Sequence, residues 1–79
     1  MNVTILTPSS RTNVDAQWVD VQTTQGNRII LPGHEPFVAR LARNKPIALG
    51  MQEDVVKSIN AVDGLIEVTR QEVIIILDE

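Results

Sequence analysis

An all-β sandwich is the fold class this sequence predicts, and three observations carry it. Short apolar segments with period-two alternation recur along the chain, turn residues separate them at roughly even spacing, and together these leave no room for a helix longer than about two turns. In 79 residues this pattern leaves room for about eight to ten short strands. Such strands close into a small two-sheet sandwich, or flattened barrel, forming a single domain over residues 1–79.

The elements follow in order. Val3-Thr4-Ile5-Leu6 reads as a first strand, closed by the turn Thr7-Pro8-Ser9-Ser10. Trp18 to Thr24 alternates and is rich in β-branched residues, the mark of a half-buried strand. Gln25-Gly26-Asn27 turns the chain into Arg28-Ile29-Ile30-Leu31. Phe37 to Leu41 alternates again; a helical turn there would be short and uncapped, and so marginal. Pro46 to Gly50 is a short strand between breakers, and Asp54 to Val62 is long enough for another. Asp63-Gly64 is a two-residue hairpin signal returning the chain through Leu65 to Thr69. Arg70-Gln71-Glu72 then turns into Val73-Ile74-Ile75-Ile76-Leu77, a continuous apolar run expected to be a central strand buried on both faces.

Composition excludes several classes of function. No cysteine is present, so neither a disulfide nor a thiolate metal site is available. No apolar run approaches the roughly 20 residues of a membrane helix, and Met1-Asn2-Val3-Thr4 has neither the basic nor the apolar region of a signal peptide. A net charge of −3 argues against holding a nucleic-acid backbone. The charge is uneven: residues 1–45 carry five basic against three acidic side chains, and residues 46–79 carry two against seven. Solvated strand faces account for this, as would a surface polarised to orient a partner.

Catalytic signatures are absent. His34 is the single histidine, so no histidine-based metal cluster can form, and none of Ser9, Ser10 and Ser58 sits in a nucleophile elbow. The four glycines are too scattered to cradle a phosphate. Glu53-Asp54 and Asp78-Glu79 are adjacent acids, which on a strand point to opposite faces and read as solvated ends. One Trp and one Phe make no stacking platform for bases or sugars. Trp18 reads either as a core residue at a strand start or as an interface anchor. The sequence is that of a binding or structural module: not an enzyme, with no cofactor and no metal.

The distinctive run is Leu31-Pro32-Gly33-His34-Glu35-Pro36-Phe37. Its two prolines fix φ and remove two backbone donors, and Pro32-Gly33 suits the middle of a tight turn. The run is a rigid corner presenting His34 and Glu35. It resembles the Leu-Pro-Gly-His-x-Pro signature of the epsilon subunit of F-type ATP synthase, in that subunit's N-terminal β-sandwich. Val62-Asp63-Gly64-Leu65-Ile66-Glu67-Val68 is similar to the family's Ser-Gly-Gly-Phe-Leu-Glu-Val segment, Val73-Ile74-Ile75-Ile76 to its Val-Thr-Val-Leu, and Val3 to Pro8 to its first strand and turn. The four segments are colinear over nearly the whole chain. Three features depart from the family, one being Asp63 in place of the first glycine of the family's Ser-Gly-Gly segment. Gln22 to Ile29 holds one glycine where the family has a glycine-rich loop, and the family's C-terminal helical hairpin has no counterpart after Glu79.

The resemblance implies a non-catalytic central-stalk subunit that binds the gamma subunit and the c-ring and couples proton or sodium translocation to ATP synthesis. By that resemblance Thr7, Pro8, His34, Glu35 and Pro36 face gamma, and Thr24, Gln25, Gly26, Asn27 and Arg28 form the ring-facing loop. It further implies a cytoplasmic location, peripheral to the inner membrane as part of the complex. Without the helical hairpin, no nucleotide binding is expected. The alternative is a free-standing epsilon-like sandwich acting as an adaptor or homo-oligomeric module.

Overall fold

The computed structural model describes residues 1–78. Nine strands are formed: β1 (Asn2–Thr7), β2 (Ser10–Asp15), β3 (Trp18–Thr23), β4 (Gly26–Ile30), β5 (Phe37–Arg40), β6 (Lys45–Gly50), β7 (Val56–Ala61), β8 (Asp63–Val68) and β9 (Glu72–Asp78). They make a five-stranded sheet in the order β2-β1-β9-β8-β5 and a four-stranded sheet in the order β4-β3-β6-β7. All neighbours are antiparallel except β1 and β9, which run parallel with Leu6 opposite Ile76. The expected sandwich is therefore present.

Alternation builds the core between the sheets. The five-stranded sheet contributes Val3 and Ile5, Ile66 and Val68, and Val73, Ile75 and Leu77; the other sheet answers with Val19, Val21, Ile30, Ile47 and Leu49. Each set lies on one face of its strand because successive side chains point to opposite faces. Leu41 closes one flank. It bridges to Thr23, and hydrogen bonds from the Thr24 amide to the Arg40 carbonyl (3.0 Å) and from the Ala42 amide to the Gln22 carbonyl (2.9 Å) stitch β5 to β3.

Four expectations are corrected. Ser10–Asp15 forms a full strand, although its polar sequence carries no alternation; pairing with β1 across the Pro8-Ser9 turn supplies the ladder. Asp63-Gly64 is not a hairpin turn but the start of β8, paired with Asp78 and Leu77; the chain changes sheets at Val62. Gly64 is required by close approach: a Cβ there would collide with the Ile76 carbonyl, while the Leu41 amide donates to the Gly64 carbonyl at 2.9 Å. Asp54 does not begin a strand; Gln52–Asp54 is a single 3-10 turn and β7 starts at Val56.

The fourth correction concerns β9. It is central in its sheet, but only Val73, Ile75 and Leu77 are buried, while Ile74 is half-buried and Ile76 is 45% exposed. One layer covers the inner face of this sheet, and no element among the described residues covers the outer one. Glu53, Asp54 and Asp78 are exposed as expected, and the reading of Glu79 lies outside the described residues.

Candidate functional site

The proline corner is built as its sequence requires. The His34 amide donates to the Leu31 carbonyl at 3.1 Å, closing a turn with Pro32 and Gly33 at its centre. Gly33 has φ +81, the left-handed value that the third position of a type II turn demands. His34 Nδ1 lies 2.8 Å from the Glu35 carbonyl and so donates to it, and the ring meets Phe37 edge-on at 5.4 Å. The corner therefore holds its imidazole in one orientation, through Nδ1 on one side and the Phe37 ring on the other. Glu35 and Pro36 are exposed beside it.

The loop before the corner is equally braced. Thr23 Oγ1 donates to the Gly26 carbonyl at 2.8 Å and accepts from the Gln25 amide at 3.1 Å, so Thr24 and Gln25 form a tight tip. Gly26, at φ +112, opens β4, which turns Gly26-Asn27 from expected loop into strand. Asn27 Nδ2 reaches back to Asp20 Oδ1 (2.6 Å) and the Val21 carbonyl (3.1 Å). These contacts supply the stiffness that further glycines would have removed.

The structure groups the ten candidate residues differently from the sequence. Gln25 and Arg28 share a cleft of about 220 Å³ with His34, Glu35 and Pro36, so the corner adjoins the loop. Thr7 and Pro8 lie elsewhere, at the β1–β2 turn, where they border a shallow groove of about 580 Å³ on the outer face of the five-stranded sheet. The floor of that groove was missed by sequence reasoning. Leu6 stands opposite Ile76, and Ile76 opposite Leu65. Val38, 68% exposed, lies on the same face two residues before Arg40, which is opposite Leu65. An apolar diagonal, Val38-Leu65-Ile76-Leu6, exposed except at half-buried Leu6, thus runs from beside the corner to beside Pro8. The available signal was the surplus of apolar residues in β9, on positions its inner face could not use.

Asp63 fixes one border of this face. Its Oδ2 accepts from Arg40 Nη2 at 2.9 Å and lies 3.3 Å from Arg43 Nη2, while Oδ1 accepts from the Gly64 amide at 2.9 Å. The Arg40 hydrogen bond, foremost, holds the Asp63 carboxyl below the usual carboxylate range, although partial burial opposes this. Among the described residues no cluster of three or more His, Cys, Asp or Glu could hold a metal ion. No helix among them is long and apolar enough to cross a membrane.

A family model described as the ATP synthase delta/epsilon chain β-sandwich domain matches residues 1–79. The chain belongs to that family. This delta/epsilon-type domain has no match among curated proteins. Among solved structures it is similar to a chain of the Euglena gracilis mitochondrial ATP synthase (OSCP/F1/c-ring), with a TM-score of 0.87 at 18% identity over 95% of this chain and 48% of that one. It is also similar to a chain of the Tetrahymena thermophila mitochondrial ATP synthase central stalk and c-ring, with a TM-score of 0.81 at 17% identity, covering 100% of this chain and 63% of that one. The delta/epsilon-type domain therefore spans between about half and just under two thirds of those chains, and at such identities the likeness is one of fold.

Proposed function

We propose that this delta/epsilon-type domain is a non-catalytic, epsilon-type central-stalk component of a rotary F-type ATP synthase, with catalysis residing in other subunits. The observation that carries the reading is the apolar diagonal Val38-Leu65-Ile76-Leu6 on the outer face of the five-stranded sheet. It links the two separated segments, Thr7-Pro8 and His34-Glu35-Pro36, that the family resemblance assigns to gamma. A contiguous apolar strip across an open sheet face is the usual form of a protein-binding face.

On this reading gamma lies across the outer face, and the corner, braced by two prolines and the His34–Phe37 contact, forms one edge of the footprint. Little entropy is lost there on docking, because the corner is already ordered. The β3–β4 tip, Thr24 to Arg28, projects toward the c-ring, and its hydrogen bonds suit a contact that bears torque. The domain sits on the cytoplasmic side, peripheral to the membrane, and couples proton or sodium translocation to ATP synthesis. Support comes from the family match together with two structural relatives from ATP synthase stalk and ring assemblies. The test is co-purification of the domain with the gamma and c subunits of its own organism. Association through the outer face is expected, and no association with either subunit would overturn the reading.

A further inference from the structure

The two sheets expose four edge strands, β2, β5, β4 and β7, and three of them are guarded. Arg28 of β4 stands opposite buried Val21 and Lys57 of β7 opposite buried Leu49, so each places a cation on the inward-facing side of its strand. Inward charges at an edge oppose the docking of another strand. β5 is four residues long, follows Pro36, and gives its Arg40 carbonyl to Thr24. β2 has none of these devices. It runs six residues in unbroken register with β1 and carries Ser10, Thr12 and Val14 inward, without a proline or a bulge.

The outer edge of β2 has a defined pattern. The Ala16 amide donates to the Met1 carbonyl at 3.0 Å, so even-numbered residues along this strand bond to β1. The amides and carbonyls of Arg11, Asn13 and Asp15 therefore point away from the sheet. The side chains of these same residues stand on the outer face, since Asn13 and Arg11 oppose Thr4 and Leu6.

We infer that β2 is a strand-addition site for a second copy of this chain, which joins two five-stranded sheets edge to edge about a two-fold axis at Asn13. That register is the one in which backbone and charge agree. Antiparallel pairing about Asn13 sets Arg11 opposite Asp15 of the other copy and Asp15 opposite its Arg11. Every outward-pointing amide and carbonyl of the three residues then meets its complement. On the outer face two ion pairs flank an Asn13–Asn13 pair, and on the inner face Thr12 meets Val14. Opposite charges directly across an antiparallel pair are favourable, and no like charges meet. Shifting the register by one residue would put outer faces against inner ones. Self-complementarity of this kind is what a two-fold interface requires.

Two single variants and their mixture test the pairing in the full chain. Sedimentation velocity at low salt should show a concentration-dependent dimer, and the amide resonances of Arg11, Asn13 and Asp15 should shift with it. Arg11→Glu and Asp15→Lys each place like charges across the dyad twice, and each should weaken self-association at least about tenfold. An equimolar mixture should restore it, because Glu at 11 then meets Lys at 15 and Arg11 meets Asp15. Arg11 stands beside Leu6 at one end of the apolar diagonal, whereas Asp15 lies opposite Asn2, away from it, so Asp15→Lys should leave shaft binding unchanged and the two readings fail separately. A wild-type chain that is monomeric up to about 1 mM, variants that dimerise as well as wild type, or a mixture that stays monomeric would each overturn the inference.

Discussion

Trp18 lies directly over Gly50. The two residues are opposite one another in the β3–β6 pair, and a Cβ built at residue 50 would fall inside the indole. The missing side chain of one residue is thus the seat of the other, an arrangement in which an aromatic covers a strand glycine across the ladder. Trp18 is half-buried, and the Gln17 amide donates to the Gly50 carbonyl at 2.7 Å. Trp18 stands outside the core cluster and caps the end of the four-stranded sheet. Gly50→Ala should cost about 1–3 kcal/mol by overpacking. Urea melts followed by Trp18 fluorescence measure this directly, and a changed native emission should accompany the loss as the indole is displaced.

Adjacent residues of β9 should differ sharply. Ile75 is completely buried, so Ile75→Ala should destabilise by about 2–5 kcal/mol. Ile76 is 45% exposed on the outer face, and Ile76→Ala should fall within about 1 kcal/mol. Paired urea melts compare the two. Equal losses would mean that the outer face is covered in the isolated chain.

The Asp63 cluster predicts a pH dependence with a definite sign. Its carboxyl is held low in the folded state, chiefly by the hydrogen bond from Arg40. The unfolded carboxyl titrates near about 3.9. The stabilisation is therefore fully present above that value and is lost as pH falls through the lower folded value. Asp63→Asn should remove this component, so the stability gap between wild type and variant should narrow as pH drops below about 4. Urea midpoints measured from pH 7 downward test it, and a gap that widens on acidification would contradict the assignment.

Docking to a gamma-type shaft should depend on the apolar diagonal more than on exposed charge. Val38→Asp and Leu65→Asp alter side chains that are 68% and 46% exposed, so stability should change by no more than about 0.5 kcal/mol. Either should abolish co-purification with gamma. Arg43→Ala should act mainly on the association rate and its salt dependence. His34→Ala should weaken the complex less than Val38→Asp, since it loosens the edge of the footprint. Surface-binding kinetics separate these effects.

Much of the fold was legible because its signals are local. Val19 and Val21 alternate with Asp20 and Gln22, and that alternation by itself placed β3 with one face inward. Pro32 and Gly33 dictate a turn whatever surrounds them, and the Gly33 φ of +81 is that dictate realised. The His34 corner could be located for the same reason. β2 was illegible because a strand of Ser, Arg, Thr and Asn is chosen by its neighbour's hydrogen bonds, not by its own side chains.

Other features belong to no single segment. Asp63-Gly64 reads locally as a turn, and only the passage of Leu41 and the Ile76 carbonyl over Gly64 shows that the glycine serves close approach. The run Val73 to Leu77 is apolar at every position, so periodicity could not divide it; the presence of a second sheet on one side alone did that. The separation of Thr7-Pro8 from His34-Pro36, and the apolar diagonal joining them, arise from strand order across four neighbours. The sequence by itself determined a two-sheet β domain with a rigid proline corner, because turn chemistry and period-two burial act within a few residues. Which faces remain open, and which edges are guarded, were decided by tertiary pairing, because exposure depends on what the rest of the chain leaves uncovered.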